Sequence, residues 1–388
     1  MALFLHLKLT SLVPIVISVG VGLFSLMYVF LVLYLLKGWL SIEVFSPKRK
    51  VFKTKVSVLI AARNEERNIK GTIEALLAQN YPKKMMEIII VDDNSTDNTT
   101  DIIRSYANQG VRLLRLNESE VLNSYKKKAI TEAIAISKGE LMVATDADCQ
   151  MKSNWLSTIV SLYEEKKCYL ISGPVLYYKE KSIFETLQTL EFLYLIGLGA
   201  ASIGNNQAST CNGANLAYRK DIFKELKGFQ GIDDLASGDD ELFLHKVAAK
   251  YPDKIEFCKS FDAAVYTEAK DSLGSFIAQR KRWASKSTLY KRKSIVFLGV
   301  GVWVFNVLLL LSIVNALVYP EYWIAVTFCF TAKVLVELLF MIPMCSFSKR
   351  MELLIYLPIL SFMHVFYLIY IGIAGNSGKY YWKGRLVR

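Results

Sequence analysis

Apolar residues run from Leu12 to Leu36 without a single charge, a stretch about long enough to cross a bilayer as a helix. No small-residue cleavage site follows, and the stretch is too long for the apolar region of a signal peptide, so it reads as a retained anchor. From Lys55 to about Tyr290 the pattern changes. Short β-branched runs at Val56–Ala61, Glu87–Val91, Val111–Leu116 and Leu141–Ala144 predict strands. Between them, Ile69–Ala78, Asp97–Ala107 and Ala129–Ser137 carry apolar residues at helical spacing. This alternation predicts a soluble α/β domain around a mostly parallel sheet covered on both faces. Sheets of that kind bind ligands beyond the carboxyl ends of their strands.

Three further apolar segments follow, Ser294–Val318, Tyr322–Met344 and Leu353–Ala374, parted by Tyr319-Pro320-Glu321 and by Lys349-Arg350. Lys333 and Glu337 stand one helical turn apart in the middle segment and are expected to pair inside a helical bundle. Ile183–Gly204 is apolar too, but Glu185 and Glu191 interrupt it, which predicts an interfacial or core helix. The chain therefore divides into an N-terminal anchor over 1–47, an α/β domain over 48–293, and C-terminal membrane helices with a basic tail over 294–388.

Charge gives this plan a direction. Lys37, Lys48, Arg49 and Lys50 follow the anchor, so the positive-inside rule puts its C-terminal end and the domain in the cytoplasm. The tail carries Lys379, Lys383, Arg385 and Arg388 and is drawn to the same side. Three complete crossings after the domain would leave it on the other, a conflict that one interfacial or re-entrant segment would remove. Over the 388 residues, 47 Lys and Arg stand against 35 Asp and Glu, and 53% of residues are hydrophobic. The excess suits an anionic membrane surface and anionic substrates. Nucleic acid is excluded, because the basic residues gather beside the apolar segments and not in a stripe with interleaved aromatics. The six cysteines show no C-x-x-C spacing, which argues against a zinc ribbon or disulfide scaffold, and three histidines are too few for a histidine-rich metal site.

Five polar clusters are the candidates for chemistry. After the first strand, Ala62-Arg63-Asn64-Glu65-Glu66-Arg67-Asn68 leads into a helix, a turn suited to a nucleotide or simply to a capped helix start. Val91-Asp92-Asp93-Asn94-Ser95-Thr96 follows the second strand; a carboxylate there can accept from a base or ribose, while Ser95 and Thr96 are equally plain caps. Thr145-Asp146-Ala147-Asp148 follows the strand at Leu141 and offers two carboxylates to one hard cation, although Asp-rich turns are common. Ser237-Gly238-Asp239-Asp240-Glu241 opens a helix, where acidic residues complement the helix dipole or supply a general base. Gln279-Arg280-Lys281-Arg282-Trp283 can clamp a diphosphate and stack on a sugar, and the basic residues beyond Trp283 read as lipid contacts.

In this order and spacing the clusters resemble glycosyltransferase family 2, which includes membrane cellulose, chitin, hyaluronan and poly-N-acetylglucosamine synthases and ceramide glucosyltransferase. The resemblance covers about Lys55–Lys286, and its most specific block is Q-x-x-R-W after an acidic pair. It implies a GT-A fold, Rossmann-like with a mostly parallel sheet, joined to transmembrane helices. It also implies an inverting transfer from a nucleotide diphosphate sugar, most commonly a UDP-sugar, to a glycan or lipid acceptor with Mg²⁺ or Mn²⁺. On that likeness Asp93 binds the base, the Ala61–Glu65 turn with Arg63 holds the nucleotide, and Lys126 contacts it. Asp146 and Asp148 take nucleotide and metal, Asp240 is the base with Asp239 at the preceding acidic position, and Gln279, Arg282 and Trp283 line the diphosphate and acceptor site. Thr210-Cys211-Asn212-Gly213-Ala214-Asn215 matches the region near the acceptor sugar. The chain departs from the pattern at Ala61 (commonly proline), at Ile130-Thr131 (usually Leu-Asn) and at Asp239 (more often glutamate). A bacterial inner membrane is the expected setting, in cell-envelope or extracellular polysaccharide or glycolipid synthesis. The rival readings are a membrane nucleotidyltransferase, which gives no reason for Gln279–Trp283, and a non-catalytic scaffold, which has no need of Asp148, Asp240 and Arg282 together.

Overall fold

The computed structural model describes residues 2–47, 51–116, 124–233, 235, 237–286, 290, 292–375, 380–382 and 385–387. Lys48, Arg49, Lys50, Lys379, Lys383 and Arg388, invoked above for orientation, lie outside them. The chain forms two compact units, one of residues 38–271 and 379–388, the other of residues 1–37 and 272–378.

Helix α1 (Ala2–Ser41) is followed by β1 (Val56–Ala62), α2 (Ile69–Leu77), β2 (Met86–Asp92), α3 (Thr99–Ser105), β3 (Val111–Arg115), α4 (Tyr125–Ile136) and β4 (Leu141–Ala144). These are the strands and helices that the apolar pattern predicts, with α4 beginning a turn earlier. They form a parallel set in the order β3-β2-β1-β4, with Val56 level with Met86 on one side and Leu141 on the other. β1 and β4 are almost wholly buried, as strands covered on both faces must be.

The domain's second half departs from strict alternation. It comprises β5 (Gln150–Met151), α5 (Trp155–Lys166), β6 (Leu170–Ser172), β7 (Val175–Tyr177), α6 (Ile183–Gly204), β8 (Leu216–Arg219), α7 (Lys220–Glu225), α8 (Glu241–Lys250), β9 (Ile255–Phe257) and β10 (Val265–Thr267). β8 joins β4 antiparallel and β6 joins β8 antiparallel, so the seven-stranded sheet reads β3-β2-β1-β4-β8-β6-β9 and is mixed. A small sheet β5-β10-β7 stands apart from it.

α6, predicted as an interfacial or core helix, is long and apolar enough to cross a membrane, yet it packs on β7 and β9 within the domain, with Phe192 stacked 4.2 Å from Tyr177. Its far end meets the last turn of α1. A Cβ on Gly38 would lie 2.1 Å from the Ala201 carbonyl oxygen, and one on Gly204 would lie 2.0 Å from the Gly38 oxygen. The two backbones touch, and only glycine permits that. Buried Lys259 closes the end of α1, its Nζ donating to the carbonyls of Trp39 and Ile42, each at 2.9 Å, from above the Trp39 ring. The strand pair β11 (Tyr380–Trp382) and β12 (Arg385–Val387) belongs to this unit as well.

The second unit holds most of α1 with α9 (Leu273–Ala284), α10 (Lys293–Val318), α11 (Trp323–Ser348) and α12 (Leu357–Ala374). By length and composition the spans Leu12–Ser41, Lys293–Val318, Pro320–Ser348 and Met351–Ala374 suffice to cross a membrane. The predicted pair is present: Lys333 Nζ lies 2.7 Å from Glu337 Oε1 with both side chains buried. Tyr28 of α1 donates to the same carboxylate at 2.6 Å and Ser361 of α12 donates to its other oxygen. A buried ion pair is tolerable because hydrogen bonds satisfy what the pairing leaves over.

Candidate active site

The polar turns after β1, β2 and β4 begin where these parallel strands end: β1 and β2 stop level with each other, and β4 stops level with Leu59, inside the span of β1. Ala61 lies level with Val91 and Ala62 with Asp92, so the turns after β1 and β2 emerge side by side. They are tied together. Arg63 Nη1 donates to the carbonyls of Asp93 and Asn94 at 2.6 and 2.8 Å. Asn64 takes an N–H from Thr96 at 2.8 Å, and the Glu65 N–H donates to Thr99 Oγ1 at 2.7 Å. Asn64 and Asn94 both have positive φ, a conformation asparagine accepts more readily than most residues. Asp93 is buried. Beneath it Asp92, fully buried, accepts from the Thr100 hydroxyl at 2.8 Å and organises the turn. Burial pushes the Asp97 carboxyl up, but hydrogen bonds from the Thr99 hydroxyl and N–H and from the Glu66 N–H outweigh it and hold the group below its ordinary range.

The third and fourth motifs meet at α4. Lys126 Nζ lies 2.8 Å from Asp146 and 3.3 Å from Asp239, bridging the turn after β4 and the turn before α8. Burial disfavours its charge, but the carboxylates of Asp146, Asp239 and Asp240 outweigh that and raise its pKa. Asp240 caps α8 by accepting the Glu241 N–H at 2.7 Å, and its other oxygen accepts the Gly213 N–H at 2.9 Å. The approach is close: a Cβ on Gly213 would lie 3.3 Å from an Asp239 oxygen and 3.4 Å from the Asp240 Cβ. The Thr210–Asn215 segment is thus in contact with the acidic pair, anchored by buried Asn215, which donates to the carbonyls of Pro174 and Ala263 at 2.8 Å each and accepts from Trp155 Nε1 at 3.0 Å.

Asp148 lines a cleft of about 1000 Å³ together with Arg67, Gln150, Tyr178 and Lys270. Asp146 is 38% exposed in its side chain. Among the described residues no three His, Cys, Asp or Glu side chains form a metal cage. Two hard carboxylate donors in one turn, one of them facing a cleft, fit Mg²⁺ or Mn²⁺ bound mainly through phosphate and water oxygens. Cys149, which follows this turn, is a fully buried thiol, and burial pushes its pKa well above the ordinary value.

The fifth motif sits on α9 in the other unit. Gln279 accepts from Arg280 Nη1 at 2.6 Å, and buried Arg280 stacks over Trp283 and Phe276, 4.3 and 4.6 Å from their ring centroids. Arg282 and Trp283 are half-buried. Sequence reasoning gave no role to Arg280, Asp92 or Lys127. Only Asp92, in an Asp-Asp pair at a strand end, had a signal that pointed to it.

A mixed sheet with acidic turns at the ends of β2 and β4 and an acid-capped helix beside them defines the GT-A class of nucleotide-sugar-dependent folds. The fold is similar to that of a mannosyltransferase from Pyrobaculum calidifontis, solved with GDP-Man and Mn²⁺ (TM-score 0.55, 18% identity, covering 91% of this chain and 98% of that one). Residues 57–227 match the Glycosyl transferase family 2 model, and the chain carries a domain of that family. Over 112 residues it is 35% identical to the beta-monoglucosyldiacylglycerol synthase of a Nostoc species, covering 29% of this chain and 24% of the relative. Over 236 residues it is 26% identical to the poly-beta-1,6-N-acetyl-D-glucosamine synthase of Staphylococcus epidermidis, covering 59% and 53%. The chain thus spans between a quarter and about half of these relatives.

Proposed function

We propose that the protein is a membrane-embedded, inverting, metal-dependent glycosyltransferase that moves a sugar from a nucleotide diphosphate sugar, a UDP-sugar, to a hydroxyl of a glycan or lipid acceptor. The observation that carries this reading is the meeting of Asp146, Asp239 and Asp240 around Lys126, which joins two motifs 93 residues apart in the chain at the end of the parallel sheet. The two relatives named above act, by their names, on a glycolipid and on a polysaccharide, which supports an acceptor of either kind. The candidate spans support a membrane setting, and the basic residues after the anchor support a domain on the cytoplasmic side, as in a bacterial inner membrane.

In this reading the Ala61–Glu65 turn and Asp93 hold the nucleoside, Arg63 acting as the brace that shapes the turn. Asp146 and Asp148 would hold a divalent cation, whose charge would stabilise a departing diphosphate. Asp240 takes the proton of the acceptor hydroxyl. The oxygen so exposed forms its bond to the anomeric carbon as the bond from that carbon to the diphosphate oxygen breaks, and the electron pair leaves with the nucleoside diphosphate. Two backbone N–H groups fix the Asp240 carboxylate in place, which suits a base that must meet a hydroxyl in one geometry. Gln279, Arg282 and Trp283 take the diphosphate and the acceptor.

The test is product analysis. Purified protein in lipid is given a panel of nucleotide sugars with Mg²⁺ or Mn²⁺, with and without chelator. The expected result is chelator-sensitive release of a nucleoside diphosphate from one donor. Release of pyrophosphate in its place would overturn the reading in favour of nucleotidyl transfer.

A further inference from the structure

Helix α4 opens with three consecutive lysines, and the structure gives each a different task. Lys128 pairs with Glu132 at 2.7 Å on the surface, an ordinary i,i+4 contact. Lys126 faces the carboxylates of Asp146 and Asp239. Lys127 points the other way and is 2% exposed. Its Nζ donates to the carbonyl oxygens of Ile232, Leu235 and Ser237 at 2.5, 2.6 and 2.9 Å.

An ammonium has three N–H donors and accepts nothing, so three converging carbonyls match what it needs. A charge this deeply buried is tolerated only with such partners. The partners are main-chain groups 105, 108 and 110 residues away, in a segment whose Ile232, Leu235 and Ser237 lie outside any helix or strand. That segment runs straight into Gly238, at φ +84°, and then Asp239 and Asp240. The first turn of α4 therefore grips the acidic pair twice, by the Asp239 carboxylate through Lys126 and by the chain leading into the pair through Lys127.

We propose that Lys127 is a positioning residue: it gathers the main-chain carbonyls of Ile232, Leu235 and Ser237 around its ammonium and so sets where Asp239 and Asp240 stand relative to the Asp146 turn. Its role runs through those carbonyls. The proposal rests on the reading of Asp240 as the base for its catalytic consequence, while its structural half stands without it.

Lys127→Met keeps the length of the side chain and removes every donor. Lys127→Gln keeps an amide able to serve part of the carbonyl set, and it remains measurable if Lys127→Met does not fold. Both are made in the full chain in lipid. Hydrogen–deuterium exchange is read over peptides covering 230–245, with β1 and β2 peptides as the internal reference. Turnover is read with the nucleotide sugar that the unaltered protein consumes. Exchange in 230–245 is expected to quicken at least tenfold in Lys127→Met and less in Lys127→Gln, with the reference peptides unchanged. kcat is expected to fall about a hundredfold with donor KM within twofold, since a misplacement of about 1 Å in a catalytic group has that effect. Unchanged exchange in 230–245 overturns the proposal, as does quickened exchange with kcat unaffected. A drop in kcat that tracks a general rise in exchange across β1 and β2 overturns it too, because the role would then be merely structural. Loss of the Asp240 reading shows separately, as an Asp240→Asn protein that still turns over, and leaves the exchange result standing.

Discussion

Lys126→Met is the sharpest perturbation of the acidic cluster, because it removes a cation that Asp146 and Asp239 share at 2.8 and 3.3 Å. At an effective dielectric of about 20 these contacts carry gross attractions of about 6 and 5 kcal/mol, and in bulk water about 1.5 and 1.3 kcal/mol. Asp146 is 38% exposed and Lys126 25%, so solvent screening sets the net value near the lower end, about 1–2 kcal/mol per pair. Without the lysine, Asp146 loses a bound cation and gains affinity for another. About 1.4 kcal/mol released at Asp146 corresponds to about tenfold tighter binding of a divalent ion. Electron paramagnetic resonance titration of Mn²⁺ into the nucleotide-free protein measures this directly. The expected result is a Kd about tenfold lower in Lys126→Met than in the unaltered protein, with Asp148→Asn abolishing the gain. Equal or weaker Mn²⁺ binding in Lys126→Met would refute the idea that lysine and metal compete for Asp146.

Further outcomes follow from other contacts. Glu337→Leu leaves the buried Lys333 ammonium without its carboxylate, and about 3–5 kcal/mol of stability should be lost in detergent melts, with most of it restored in the Lys333→Leu, Glu337→Leu double variant. Gly38→Leu forces a side chain into the Ala201 carbonyl and should cost about 1–3 kcal/mol or more through overpacking, read as a lower Tm. Burial pushes Glu87 up, but the Lys138 N–H, the Ser57 hydroxyl and Arg112 outweigh it and hold the carboxyl below its ordinary 4.5. A group depressed in the folded state adds stability that is complete above its unfolded value and lost as pH falls through its folded value. Glu87→Gln should therefore lower stability at neutral pH by about 1 kcal/mol and flatten the acid limb below pH 4.5 in urea titrations.

Much of the parallel half of the fold was legible in the sequence. β1, β2, β3 and β4 are apolar β-branched runs separated by helices with a clear apolar period, and their ends carry the polar turns. The i,i+4 spacing of Lys333 and Glu337 was enough to foresee their pairing. The domain's second half was not legible, for a physical reason: β6, β7, β9 and β10 are three residues each, mostly buried, and too short to show a period. α6 has the length and apolar composition of a span, and only Glu185 and Glu191 within its apolar run marked it in the sequence as an interfacial or core helix. At the site, the acidic turns were visible as residue types, but their convergence on Lys126 was not. The same holds for Lys127 and Arg63, whose partners are main-chain carbonyls that leave no trace in residue identity.

The measurement closest to the central claim separates binding from transfer at Asp240. Asp240→Asn keeps the size of the side chain and an oxygen able to cap α8, while removing the carboxylate base. Nucleotide binding by calorimetry and nucleoside diphosphate release are measured side by side on the unaltered protein and this variant, in lipid and with Mn²⁺. The account predicts binding within about twofold and turnover reduced at least a thousandfold, in the range that loss of a general base together with its positioning produces. An Asp240→Asn protein that binds nucleotide and still releases the diphosphate at near the original rate would contradict it.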